Sequence, residues 1–408
     1  MTDTAQGQEP DTATELLEAF DADRALNTLQ ALCVPDMAGR APGSAGHALA
    51  TEFLESTLVS LGLSPVLESF AIREVMRLAA QPSCTVDGPE LARELVHRAE
   101  FAENPRSGPM PRALTGTASE TAEAGQWAVL LKVPQGDAFA ALAEALLARG
   151  AIGILTAQNA DASGYLTKRV QGPPPVELPV IALRPDLLAA TIGSTVTAHV
   201  PLVREAATGT NIIATLPGTD PDARPILLTA HYDGVGADPG LHFPCAGDNA
   251  SGTAVLCEVA RVLSSAPPFA RPIVFALVDA EEIGTVGSGH HARGLKEQGI
   301  VPEVLNVDMA GKFNGKVAVE LGPADPSPTG IIAALDSAGR RLGIPLYAGN
   351  VSSDNRRYAS AGFPAAGLGF GAAHYHSPLD APDRIEPEAL RKAGRLVLAA
   401  VHHLATQN

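Results

Sequence analysis

From Asn211 onward the sequence alternates short, almost wholly apolar runs with segments of helical periodicity, and this alternation limits the fold more than any other feature. The runs are Ile226–Thr229, Ile273–Val278, Val304–Val307, Val317–Leu321 and Ala365–Leu368. The helical segments between and after them are Gly252–Ser264, Gly289–Gln298, Thr329–Leu342 and Pro387–Thr406. Strands with no polar face must be covered on both sides. The pattern therefore predicts an α/β fold with a mixed, mainly parallel central sheet and helices on both faces. Ligands in such sheets bind beyond the carboxyl ends of the strands.

Upstream, Leu16 to Leu32 and His47 to Leu61 carry helical apolar spacing, with a Gly39–Gly46 loop between them and a short strand expected over Leu63 to Phe70. From about Glu74 the texture changes to shorter runs: Ala128–Val133, Ile152–Thr156, Val180–Leu183 and Val196–Val200. An alanine-rich helix is expected over Ala138–Arg149, and Gly172-Pro173-Pro174-Pro175 reads as a stiff loop. The expected organisation is a disordered tip over residues 1–13 and a catalytic domain built from 14–73 and 205–408. Residues 74–204 form a smaller inserted α/β domain.

Charge narrows the function. With 45 acidic against 29 basic residues the net charge is −16, which repels phosphate over most of the surface and excludes a general nucleic-acid or acidic-membrane binder. No stretch approaches the roughly 20 apolar residues of a spanning helix, and the polar, acidic start lacks a secretory pattern. Cys33, Cys84, Cys245 and Cys257 are scattered, with no CxxC pair. The expectation is a cytoplasmic protein with free thiols and no membrane partner.

Five segments place chemistry-bearing residues at or just beyond the strands. Ala230-His231-Tyr232-Asp233 offers an imidazole and, two positions on, a carboxylate able to accept its other ring N–H. Ala246-Gly247-Asp248-Asn249-Ala250-Ser251-Gly252 is a tight turn running into a helix. Capping accounts for one Asp or Ser there, but not for a rigid turn just downstream of His231. Val278-Asp279-Ala280-Glu281-Glu282 closes an apolar strand with adjacent carboxylates, one able to hold a metal while its neighbour stays free as a base. Asn306-Val307-Asp308 delivers another carboxylate, and His374-Tyr375-His376-Ser377-Pro378-Leu379-Asp380 a histidine with a carboxylate four residues on. Each segment alone is an ordinary strand end, cap or solvated pair. Together they give two histidines and three carboxylates, a mixed set suited to zinc or another divalent ion. An Asp shared between two ions is a known hydrolytic arrangement.

In this order the five motifs resemble the two-zinc aminopeptidases of metallopeptidase family twenty-eight, which also includes glutamate carboxypeptidases, plasma carboxypeptidases and glutaminyl cyclases. The likeness spans about Asn211 to His403 and extends to Gly39–Phe70, where Gly39-Arg40-Ala41-Pro42-Gly43-Ser44 looks like the family's opening. The insertion resembles a protease-associated domain. The resemblance implies two zinc ions per chain, one held by His231, Asp248 and Asp308 and the other by Asp248, Glu282 and His376. It makes Glu281 the general base, Asp233 the partner of His231 and Asp380 the partner of His376, with His374 as a rival ligand.

The implied activity is that of a zinc-dependent exopeptidase using a water shared by the ions, an aminopeptidase by the family's commonest role. Carboxypeptidase, dipeptidase, glutaminyl cyclase-like acyl transfer and a metal-free receptor are the alternatives. The partner is a peptide with a small or apolar first residue, and the insertion either gates the cleft or drives association into a homo-oligomer. Asp354, Asn355 and Arg356 are expected to line the substrate pocket, where Asn355 departs from the family's Ser-Asp-His type segment. Arg356 and Arg357 are able to hold a substrate carboxylate, and Tyr375 is the candidate donor to a developing oxyanion.

Overall fold

The computed structural model describes residues 12–220, 222–323 and 330–406. Of the tip expected over 1–13, residues 1–11 lie outside that range. Thr12 and Ala13 instead open a helix, Thr12–Ala19, with Ala13 buried. The helical stretch expected over Leu16–Leu32 is two helices, Thr12–Ala19 and Ala22–Leu32. They part at Asp21, whose carboxylate caps the second by accepting from the N–H groups of Asp23 and Arg24.

The principal sheet has eight strands in the order Val66–Leu78, Leu202–Leu216, Ile273–Val278, Ile226–His231, Glu303–Ala310, Ala365–Gly371, Val317–Leu321, Leu346–Ala348. The four central strands, from Ile273–Val278 to Ala365–Gly371, run parallel. Both faces of these strands are covered, and alternate residues go to different cores. Leu228, Ala230, Phe275, Leu277, Leu305 and Val307 pack under the helices Ser251–Ser264 and Pro387–Thr406. Leu227, Ala276, Val278 and Val304 face Ala292 and Tyr358 of the helices Val286–Glu297 and Asn355–Ala361. That opposed pair of cores is why the strands read as continuous apolar runs.

The chain leaves and re-enters this sheet through one antiparallel pair, Val66–Leu78 with Leu202–Leu216. Val66–Leu78 is longer than the short strand expected there, and the boundaries expected at Glu74 and Arg204 fall inside the pair, where Val75 faces Glu205 and Met76 faces Arg204. Charge hid these strand halves. Arg77 pairs with Glu205 at 2.8 Å and Arg204 with Glu74 at 3.1 Å across the ladder, so the apolar alternation is broken by cross-strand ion pairs. Between the two strands lies a second eight-stranded sheet with its own buried clusters, one centred on Trp127 and one under the helix Asp137–Ala148. Among the described residues no helix is long and apolar enough to cross a membrane, and all four cysteines are free and buried.

Candidate metal centre

The parallel strands bring their carboxyl ends to one place. His231 is the last residue of its strand, and Asp308 lies near the end of the next. Glu281 and Glu282 occupy the loop between Ile273–Val278 and the helix Val286–Glu297, while His376 follows Ala365–Gly371. Asp248 sits in the one-turn segment Ala246–Ala250, and the Asp248–Asn249 peptide is cis. The helix that follows has no side-chain cap, so Asp248 is free for another task.

Asp248 faces both ways. Its Oδ1 is 3.2 Å from His231 Nε2 and its Oδ2 is 3.3 Å from His376 Nε2. Asp308 Oδ1 lies 3.5 Å from His231 Nε2, and Glu282 Oε2 lies 2.9 Å from His376 Nε2. Two donor sets result, His231–Asp248–Asp308 and Asp248–Glu282–His376, each with its atoms within 4.8 Å of one another.

These groups fit divalent cations. Buried polar atoms are normally partnered, yet His231 Nε2, His376 Nε2, Glu282 Oε1 and Asp308 Oδ1 are buried without a hydrogen bond. Burial, with Asp248 close by, raises the Glu282 carboxyl above its ordinary range. Burial alone would depress the His231 imidazole, but contacts with Asp233, Asp248 and Asp308 outweigh it and raise it well above its usual value. Carboxylates gathered in low dielectric need positive charge to stay ionised. The donor set of imidazole nitrogen and carboxylate oxygen suits zinc and its neighbours.

Supporting contacts orient each donor. Asp233 lies 3.4 Å from His231 Nδ1 and accepts from the backbone N–H groups of Glu281 at 3.0 Å and Glu282 at 3.2 Å. One carboxylate thus holds the first histidine and the glutamate pair together. Asp380 departs from the expectation that it partners His376. It accepts from the backbone N–H of Gly247 at 2.6 Å and of Asp248 at 3.1 Å, and His376 Nδ1 faces the Lys168 carbonyl at 2.9 Å instead. The reason is steric: a Cβ on Gly247 would lie 2.9 Å from Asp380 Oδ1, so the glycine admits the carboxylate directly under the Asp248 turn. His374 joins neither donor set, and His290 and His291 are engaged by Phe70 and by the Tyr358 hydroxyl.

Two structural residues escaped the sequence reading. Arg40 is fully buried and donates to the carbonyls of Leu32, Tyr232, Pro244 and Cys245, tying together the loops that carry His231 and Asp248. Asn249 accepts from the N–H groups of Gly252 and Met309 and donates to Val307, joining the Asp248 turn to the Asp308 strand. Only their places in the Gly39-Arg40 and Asp248-Asn249 motifs signalled them.

Beside the donors opens a cleft of about 620 Å³ lined by Glu281, Glu282, Tyr375, Arg356, Arg357 and Arg169, among others. Tyr375 is half exposed and stacks on His376 with centroids 3.7 Å apart. Asp354 and Asn355 are corrections: both are fully buried and outside the lining. Asp354 accepts from Ser288 Oγ at 2.5 Å, and Asn355 packs against Gly367. They open the short helix Asn355–Ala361, which turns their side chains toward the sheet and leaves Arg356 and Arg357 in the cleft.

The sequence profile of Peptidase family M28 matches residues 211–401. Aminopeptidase YwaD of Bacillus subtilis is 34% identical over 190 residues, 43% of this chain and 40% of that protein. The match thus spans less than half the length of this curated relative. Among solved structures, BSAP, a zinc aminopeptidase from Bacillus subtilis, superposes with a TM-score of 0.74 at 24% identity, covering 95% of this chain and 96% of that one. An aminopeptidase from Aneurinibacillus sp. strain AM-1 gives 0.70 at 21% identity, with 97% of each chain covered. These two likenesses establish the fold, and the profile match falls on the segment that carries all five donors. Over residues 211–401 the chain is similar in sequence to peptidase family M28.

Proposed function

We propose that the chain is a zinc-dependent exopeptidase, foremost an aminopeptidase, with two ions per chain held by His231, Asp248 and Asp308 and by Asp248, Glu282 and His376. The observation that carries this reading is Asp248, which presents one oxygen to each histidine. Ions bound there would polarise the scissile carbonyl and acidify the attacking water.

The chain's own groups do the rest. Glu281 lines the cleft beside Glu282 without belonging to either donor set. Burial, with the charges of Asp354, Glu282 and Asp308 close by, raises its carboxyl above the ordinary range in the metal-free site, and a carboxylate left outside both donor sets is placed to take up and release a proton. Glu281 removes the proton from the attacking water and delivers it to the leaving amine. Asp233 keeps that carboxylate in place through the Glu281 N–H. The Tyr375 hydroxyl, protonated near neutrality as any phenol is, is the donor to the developing oxyanion. Arg169 and Val170, from the excursion between the two long strands, line the same cleft, which supports a gating role for it.

Glu281→Gln tests the reading. The variant should bind metal as the parent does while hydrolysis of aminoacyl-p-nitroanilides falls by roughly 10²–10⁴-fold. Near-parental turnover would remove Glu281 from the reaction.

A further inference from the structure

The cleft carries more positive charge than hydrolysis alone requires. Its lining includes three arginines, Arg169, Arg356 and Arg357, against two acids, Glu281 and Glu282, which the metal centre and the proton transfer already use. The three arginines are not equivalent. Arg356 is neutralised: its Nε donates to Glu320 Oε1 at 2.7 Å, and Glu320 also accepts from the N–H groups of Val351 and Ser352. Arg357 is anchored but not neutralised. Its Nε donates to Thr285 Oγ1 and its Nη2 to the Gly284 carbonyl, both at 2.6 Å, with no carboxylate partner and no bond from Nη1 among the described residues. Arg169 is exposed and has neither ion pair nor hydrogen bond among the described residues.

Neutral acceptors orient a guanidinium without satisfying its charge, and the natural partner of such a fork is a carboxylate. Thr285 and Gly284 also belong to the loop that begins with Glu281 and Glu282, so Arg357 is fixed to the catalytic loop itself. In a chain of net charge −16, Arg169 and Arg357 are cleft guanidiniums without an anionic partner among the described residues, and such charges attract a carboxylate. On the exopeptidase reading, we propose that Arg169 and Arg357 form a carboxylate-binding subsite. The cleft then selects peptides bearing a carboxylate next to the scissile bond, in place of the small or apolar first residue expected from the sequence. That carboxylate is either the side chain of an acidic residue or the free C-terminus of a short peptide.

Matched pairs of probes separate the two sources. Glutamyl-p-nitroanilide against glutaminyl-p-nitroanilide reads the side chain, and Leu-Leu against Leu-Leu-amide reads the C-terminus. The zinc-loaded parent should favour the charged member of one pair by about tenfold or more in kcat/KM, because a site built for a polar group discriminates against its absence. Arg169→Met and Arg357→Met should each shrink that ratio several-fold. Arg356→Met, which removes an already paired charge, should shift it less.

Equilibrium binding to zinc-loaded Glu281→Gln supplies a readout independent of turnover. It should rank the same probes in the same order, and the ranking should fade with either arginine replaced. Preference in binding with no hydrolysis of any probe would sustain the subsite and sink the exopeptidase reading. Hydrolysis with a ratio near one in both pairs, or a ratio unmoved by both substitutions, would overturn the subsite and leave the exopeptidase reading standing.

Discussion

Lys168 and His376 hold each other by two hydrogen bonds. The Lys168 N–H donates to the His376 carbonyl at 2.9 Å, and the His376 ring Nδ1 meets the Lys168 carbonyl at 2.9 Å. A carbonyl accepts only, so Nδ1 carries a proton, and Nε2 is the ring atom that would be available to a cation held with Asp248 and Glu282. Lys168 is itself fixed by its buried ammonium, which lies 2.9 Å from Asp238 Oδ1 and bonds the carbonyls of Gly236 and Ala237. Arg98 takes the other oxygen of Asp238 at 2.6 Å. A segment of the excursion therefore sets the tautomer of a proposed metal donor in the principal sheet.

Asp238→Asn should loosen this strap. We expect one ion to bind about 10–100-fold more weakly, as when a group behind a metal ligand is lost, while the other binds as in the parent. Zinc titration into metal-free protein gives the answer, with a thermal melt as the folding check. Two unchanged affinities would show that the strap does not orient His376.

Arg40 is the structural counterpart. Its replacement by Met would leave the carbonyls of Leu32, Tyr232, Pro244 and Cys245 short of their donor inside the protein. At roughly 1–3 kcal/mol for each unsatisfied buried group, with relaxation recovering part, the loss should be on the order of 4 kcal/mol. Urea denaturation of the two proteins measures it, and a loss below about 1 kcal/mol would contradict the assigned role.

The site's charge makes the metal-free protein sensitive to pH. Burial raises the carboxyls of Asp354 and Asp380 to about 7, and the carboxylates around His231 and His376 raise both imidazoles against the opposing effect of burial. A group with a raised folded-state pKa stabilises the fold fully below its unfolded value and loses that contribution as pH rises through the folded one. Acids and imidazoles act in the same direction here. Asp248, held low by its two histidines despite burial, is ionised in both states above roughly pH 5 and adds no slope there. Stability of chelator-treated protein should therefore fall between roughly pH 5 and pH 8, and added zinc should flatten the decline. Equal or greater metal-free stability at the higher pH would refute this balance.

Most of the principal sheet was legible because its strands are buried on both faces. Ile273–Val278 is simply its apolar run, and Val317–Leu321 matches the expected bounds although Glu320 and Leu321 leave the core. The long strands Val66–Leu78 and Leu202–Leu216 were not, because Glu74, Arg77, Arg204 and Glu205 make their pairing contacts through charge. In the site, His231, Glu282, Asp308 and His376 stood out as polar residues at or just beyond strand ends, and Asp248 as the acid of a tight turn entering a helix. Asp380 and Lys168 could not be assigned that way. Which backbone group a carboxylate or carbonyl meets depends on loop geometry, and Lys168 reaches His376 from a loop between Gly153–Ala157 and Val180–Leu183, strands of the second sheet. Asp354 and Asn355 misled for a related reason: the start of a short helix decides within one residue which side chains face the cleft.

The bridging role of Asp248 is tested most directly by titrating zinc into metal-free parent protein and into Asp248→Ala. The parent should take up about two ions per chain, as a paired hydrolytic centre requires, and Asp248→Ala should weaken both sites because each loses an oxygen donor. An unchanged stoichiometry and affinity in Asp248→Ala would contradict the shared centre, whatever activity the parent displays.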